Sequence, residues 1–179
     1  MMNLVKLLRY ATFYNLDATA LELPYKDSDL SLLIVLPNRK TGLSQLERKL
    51  RIIPLSQITE KLYSTDVIVK LPKFKSEYEV ELTKTFEQLG MSEMFSNNAD
   101  FSRMITSPEQ LKVSKIIHKA VIDVNERGTE AAAATVTNIY SRAAKHPQEP
   151  NRFYADHPFN YYIINKQSIV LFAGKLINP

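Results

Sequence analysis

One arrangement for nucleophilic hydrolysis is a serine, a histidine and a carboxylate, and the set this sequence offers is Ser141, His146 and Asp156. No GxSxG elbow surrounds Ser141, and nothing beside it orients the three groups. The acidic run Glu77, Glu79 and Glu81 alternates with apolar residues, as the solvated face of a strand does, and is no glycosidase pair. The histidines are His118, His146 and His157, and no two stand three or four apart, so a histidine-built metal site is not expected. The absence of cysteine excludes a thiolate metal site, a cysteine nucleophile and a disulfide scaffold, without fixing the compartment. With four glycines there is no phosphate-cradling Gly-rich loop. The sequence therefore reads as that of a non-enzyme with no cofactor and no metal.

Those residues must be positioned by a chain of 179 residues with 45% hydrophobic and 23% charged content, ordinary values for a globular protein. The net charge of +4 is spread along the chain, and no basic stripe carries interleaved aromatics, so nucleic acid is not an expected partner. No stretch of about 18 apolar residues suits a membrane span. The N-terminus has no leader pattern, because Met1 to Leu8 runs straight into Arg9 and polar residues.

The first third reads as strands. Ala18, Ala20, Leu21 and Leu23 lead to a turn at Pro24 to Asp29, and the apolar run Leu30 to Leu36 suits a strand buried on both faces. Two short helices follow. Thr41 is the expected cap of the first, which places Leu43, Leu46 and Leu50 on one face, and Pro54 opens the second with Leu55, Ile58 and Leu62. Val67 to Leu71 and Phe74 to Leu82 read as strands, and Lys84 to Leu89 as a helical turn stopped at Gly90. Met91 to Pro108 is loop-like, anchored by Met94, Phe95 and Phe101. Leu111 to Val124 is the longest strand signal. Tyr161 to Ile164 and Ile169 to Ala173 flank a hairpin-like turn at Asn165 to Ser168. There is no internal repeat and no linker.

One segment does not fit. Gly128 to Pro150 is 23 residues between a strong strand and the next apolar run, and a segment of that length inside a domain is usually functional or disordered. Local preferences leave three forms open. It is a short helix with Thr129 as cap and Ala131 to Ala134 as helix formers, an exposed loop, or a strand. As a strand, one face would hold Thr129, Ala131, Ala133, Thr135, Thr137 and Ile139, none of them charged. The other would hold Glu130, Ala132, Ala134 and Val136. Such a strand slides into a packed sheet without burying a charge on the first face or overfilling the space.

Glu126-Arg127-Gly128-Thr129-Glu130-Ala131-Ala132-Ala133-Ala134-Thr135 resembles the proximal hinge of the reactive-centre loop of the serpin family. Phe153-Tyr154-Ala155-Asp156-His157-Pro158-Phe159 resembles the family's signature segment. Further matches run in order through Leu21-Glu22-Leu23-Pro24-Tyr25, Leu71-Pro72-Lys73-Phe74, Ala99-Asp100-Phe101-Ser102, His118-Lys119-Ala120 and Phe172-Ala173-Gly174-Lys175. The style is closer to insect members than to vertebrate ones. The resemblance implies an α+β serpin fold of mainly antiparallel sheets with few short helices and a long exposed loop over about residues 126–150. It covers only the C-terminal part of a single serpin domain, with the N-terminal helical half absent, and Met1-Met2 matches an internal segment.

The resemblance also implies a mechanism. Serpins are suicide substrates: a serine protease attacks a loop carbonyl, forms an acyl-enzyme, and is trapped when the cut loop inserts into the large sheet. The family's spacing puts the scissile residue sixteen positions after Glu126, at Arg142, followed by Ala143, with Lys145 as runner-up. Arginine suits the acid-floored pocket of trypsin-like proteases. His118 matches a position that controls sheet opening. An extracellular setting follows from the family. The isolated chain, lacking one strand of the insertion slot, is expected to be cleaved as a substrate, and its exposed sheet edge invites self-association. A non-inhibitory binding module is the alternative. Asn160 departs from the family pattern, which has an apolar residue there, and is expected at a strand edge or facing water.

Overall fold

The computed structural model describes residues 1–104, 111–125 and 149–179. Its main element is a seven-stranded sheet in the order β7-β4-β1-β2-β3-β8-β9. The strands are β1 (Met2–Phe13), β2 (Ala18–Pro24), β3 (Leu30–Pro37), β4 (Tyr63–Leu71), β7 (Asn151–Tyr154), β8 (Phe159–Asn165) and β9 (Val170–Leu176). Every pairing is antiparallel except that of β4 with β7. Three short helices, α1 (Leu43–Leu50), α2 (Leu55–Thr59) and α3 (Thr83–Gln88), complete the α+β architecture expected from the sequence, with β5 (Phe74–Glu81) and β6 (Ile117–Val124) as a separate two-stranded sheet. Two compact units result: Met1–Phe74 with Val124–Pro179, and Lys75–Asp123.

In the first unit, β3 is buried on both faces, as its apolar run demands. One face of the sheet is closed by α1 and α2. Leu46 and Ile58 from these helices share a cluster with Phe13, Ala18, Ala20, Leu33, Val35 and Ile164. The small residues on β2 make room for the larger side chains above them. The sequence placed the cap of α1 at Thr41, but the N-cap is Gly42 and no side chain caps the helix. The turn before it is tight: a Cβ at Gly42 would lie 3.0 Å from the Arg39 carbonyl. The Gly42 carbonyl itself accepts from Gln45 and Leu46.

The longest strand is β1, not the stretch from Leu111. Its first part pairs with β4 from Met2↔Leu71 to Tyr10↔Tyr63, and its last part with β2 from Arg9↔Glu22 to Phe13↔Ala18.

In the second unit, β6 begins at Ile117 rather than Leu111. The backbone before it is engaged elsewhere. The Val113 N–H donates to the Met94 carbonyl, the Ile116 N–H to the Thr83 hydroxyl, and the Ile116 carbonyl accepts from Leu82. Helix α3 stops as expected at Gly90, whose φ of +91° places it in the left-handed region. Gly90 donates to Glu87 and Met91 to Phe86, the paired bonds of a Schellman ending. Glu77 is exposed and lies between Lys75 at 2.5 Å and Lys119 at 3.8 Å, which hold its carboxyl below the usual range. It is a solvated ionic face.

Candidate reactive loop and the strands that frame it

The hinge residues Glu126, Gly128, Thr129, Glu130, Ala131, Ala132, Ala133, Ala134 and Thr135 lie outside the described residues. So do the scissile pair Arg142 and Ala143, the runner-up Lys145, and two members of the rejected triad, Ser141 and His146. What the structure describes is where this segment departs and where the chain returns.

The segment leaves after β6. That strand carries His118, whose side chain is exposed and has no hydrogen-bond partner among the described residues. Ile117 and Val121 on the same strand are 47% and 52% exposed. Among the described residues β6 has one strand neighbour, β5.

The chain returns through the signature-like segment, most of whose residues have an identifiable task. β7 lies parallel to β4 from Val67↔Asn151 to Lys70↔Tyr154. The Asn151 amide donates to the Thr65 hydroxyl at 3.2 Å. Phe153 is 1% exposed in the core, while the Lys70 ammonium sits 4.6 Å from the Tyr154 ring centroid. The Ala155 N–H donates to the Lys70 carbonyl at 2.8 Å, carrying the pairing one residue further. Phe159 meets Phe74 edge-on at 6.0 Å between centroids.

His157 ties this segment to the end of β3. Its Nε2 lies 2.6 Å from the Pro37 carbonyl oxygen and its Nδ1 lies 2.7 Å from an Asp156 carboxylate oxygen. The carbonyl only accepts, so Nε2 donates to it, and the ionised Asp156 carboxylate likewise only accepts, so its hydrogen bond forms when Nδ1 also carries a proton. Hydrogen bonding from His157 holds the Asp156 carboxyl below the usual carboxylate range, burial opposes this, and Lys40 assists it. A carboxyl with a lowered folded pKa contributes stability above its unfolded pKa, near ~3.9, and loses it as pH falls through the folded value. The stability difference between wild type and Asp156→Asn is therefore expected at neutral pH and should vanish by about pH 2, a window set by the ordinary Asp value. Urea midpoints across that range measure it. A pH-independent difference would contradict the assignment.

The sequence placed Asn160 at an edge or facing water. It is instead 5% exposed on β8, between β3 and β9, paired with Val35 and Lys175. The strand continues through that position because Phe159 and Tyr161, on the opposite face, are core residues. No motif signals the burial of Asn160, since alternation alone gives no hint of what covers either face. Among the described residues, no three His, Asp or Glu side chains converge as metal ligands.

The comparisons with known proteins agree with this architecture. The family model described as "Serpin (serine protease inhibitor)" matches residues 1–179. "Serine protease inhibitor 42Dd" of Drosophila melanogaster is 39% identical over 93% of this chain and 42% of its own length. "Leukocyte elastase inhibitor" of Bos taurus is 42% identical over 92% of this chain and 45% of its own. Among solved structures, "Cleaved Serpin 42Da" superposes with a TM-score of 0.71 at 49% identity, covering 99% of this chain and 46% of that one. The chain thus spans less than half the length of these relatives. A relative from Tachypleus tridentatus, 37% identical, is named an intracellular coagulation inhibitor, so kinship does not assign an extracellular location. With the family model matched from the first residue to the last, and strands, signature segment and relatives in agreement, the chain belongs to the serpin family.

Proposed function

We propose that this chain carries the reactive loop of a suicide-substrate inhibitor of trypsin-like serine proteases, with Arg142–Ala143 as the scissile bond. The observation that carries the reading is the register of the segment. Glu126 opens a hinge of small residues to Thr135, and a basic residue stands sixteen positions after that glutamate. The protease serine oxygen attacks the Arg142 carbonyl carbon, the Arg142–Ala143 bond breaks, and the Ala143 amine leaves with a proton from the protease histidine. Arg142 is left as an ester on the protease. In the whole inhibitor the freed hinge then enters the sheet beside β6, with His118 at the opening. Residues 1–179 are read as part of a single serpin domain, its loop running over about 126–150. An extracellular place of action goes with a trypsin-like target.

The 179-residue chain alone is read as a substrate. An inserted strand needs a neighbour on each side, and β6 offers it one. The same edge, unpaired among the described residues and with Ile117 and Val121 exposed, supports self-association. The small, uncharged hinge face weighs against the alternative of a non-inhibitory binding module.

Incubation with trypsin, followed by a denaturing gel and intact mass, tests this. The expected products are a fragment beginning at Ala143 and no adduct of protease size. Cutting elsewhere with 142–143 intact would overturn the loop assignment. A covalent adduct would overturn the substrate reading of the isolated chain.

A further inference from the structure

Among the tyrosines of this chain, Tyr78 alone has an acidic residue on each side: Glu77 precedes it, Glu79 follows, and Glu81 comes two residues later. It lies within β5, where its side chain is 62% exposed and its hydroxyl makes no hydrogen bond among the described residues. Lys75 and Lys119 partly neutralise Glu77. Glu79 and Glu81 are exposed and make no ion pair among the described residues. β5 has one strand neighbour there, β6, so its other edge is unpaired among those residues.

We infer that Tyr78 is an acceptor for O-sulfation by a transferase that reads the neighbouring glutamates through a basic cleft. The donor is a nucleotide phosphosulfate. The Tyr78 phenol oxygen attacks the donor sulfur, a base of the transferase takes the phenol proton, and the bond from sulfur to the bridging phosphate oxygen breaks. The nucleotide leaves with that oxygen as a free phosphate, and a tyrosine sulfate ester remains. No atom changes oxidation state.

Exposure alone does not single out this tyrosine. Tyr14, in the turn between β1 and β2, is 91% exposed, but Phe13 and Asn15 stand beside it. Tyr63 is also exposed, between Leu62 and Ser64. A cleft lined by cations attracts acidic flanks and gains nothing from these neighbours. An extended segment with an unpaired edge is also a form that a partner takes up by backbone pairing. The charge already present favours sulfate over phosphate. A phosphate ester brings roughly −1.5 to −2 charges at neutral pH, whereas a sulfate ester brings one, so repulsion from the glutamates is about half as large.

The test incubates the whole chain with a tyrosine-protein sulfotransferase and phosphoadenosine phosphosulfate, and follows intact mass. A short acidic tyrosine peptide run alongside shows that the transferase is active. The expected result is a gain of one SO₃ group, lost in Tyr78→Phe and kept in Tyr14→Phe. Phenylalanine removes only a hydroxyl that has no partner among the described residues, so the variant should keep the fold. Glu79→Gln with Glu81→Gln retains the acceptor but should slow the transfer by about tenfold, as expected for losing two surface ion pairs with the transferase. No gain in the wild type would overturn the inference. So would a gain that persists in Tyr78→Phe, equal modification of Tyr14, or an unchanged rate in the double glutamine variant. The transfer involves no protease, so this inference and the inhibitor reading can each fail without the other.

Discussion

Arg142→Leu should slow trypsin's cut between residues 142 and 143 by about 10²- to 10³-fold. The guanidinium of an arginine before the scissile bond meets a buried carboxylate in a trypsin-like pocket through a bidentate fork. Removing one partner of such a pair costs about 2–5 kcal/mol, because the carboxylate is left buried and unpaired, and each 1.4 kcal/mol is tenfold. Arg142→Lys retains the charge but not the fork, so its loss should be smaller. Lys145 lies three residues on, and in Arg142→Leu the residual cutting should shift to it. An intact-mass time course separates the two products by those three residues. If the cut at 142–143 continued at the wild-type rate in Arg142→Leu, arginine would not be the specificity residue. If cutting in the wild type occurred first at Lys145, the register from Glu126 would be wrong by three.

That register was legible only through resemblance. From local preference, the segment from Gly128 to Pro150 stays open between a helix, an exposed loop and, least favoured, a strand, since four alanines favour a helix while alternation of small residues suits a strand. Other elements were legible from physics alone. The run Leu30 to Leu36 announces a strand buried on both faces, and it is one. Gly90 announces a helix stop because only a residue tolerant of positive φ closes that turn.

β1 carries no such announcement. Its two halves serve different neighbours, so Val5 and Leu7 are exposed while Ala11 and Phe13, in the same alternation, are buried, and no single period runs through it. The stretch from Leu111 failed for the opposite reason. Its alternation is strand-like, but its backbone groups bond to Met94 and Thr83 instead of to a ladder. Asn160 shows a third limit. A polar residue in an apolar pattern reads as solvated, and here the pleat carries it into a half-closed cleft.

The motif Phe172-Ala173-Gly174-Lys175 contains the position where one methyl group should do most harm to the fold. A Cβ built on Gly174 falls 2.7 Å from Cε2 of Tyr161, its partner across β8 and β9, and closer still to Cζ and the hydroxyl. Backbone strain is not the cause, since the φ of Gly174 is not in the positive region. The obstacle is the ring. Tyr161 is 5% exposed, and its ring lies 5.4 Å from that of Phe74, which in turn packs on Phe159. Swinging the ring aside displaces that stack, so the far end of this side chain does not yield cheaply. Gly174→Ala is therefore expected to destabilise the fold by about 3 kcal/mol, the upper part of the range for overpacking. In a Tyr161→Leu background the same change should cost well under about 1 kcal/mol, because the two sites share one contact. Urea unfolding of the four chains measures the coupling directly. An unchanged midpoint for Gly174→Ala would show that the Tyr161 ring moves freely, and the aromatic stack with Phe74 would then not be what holds β8 against β9.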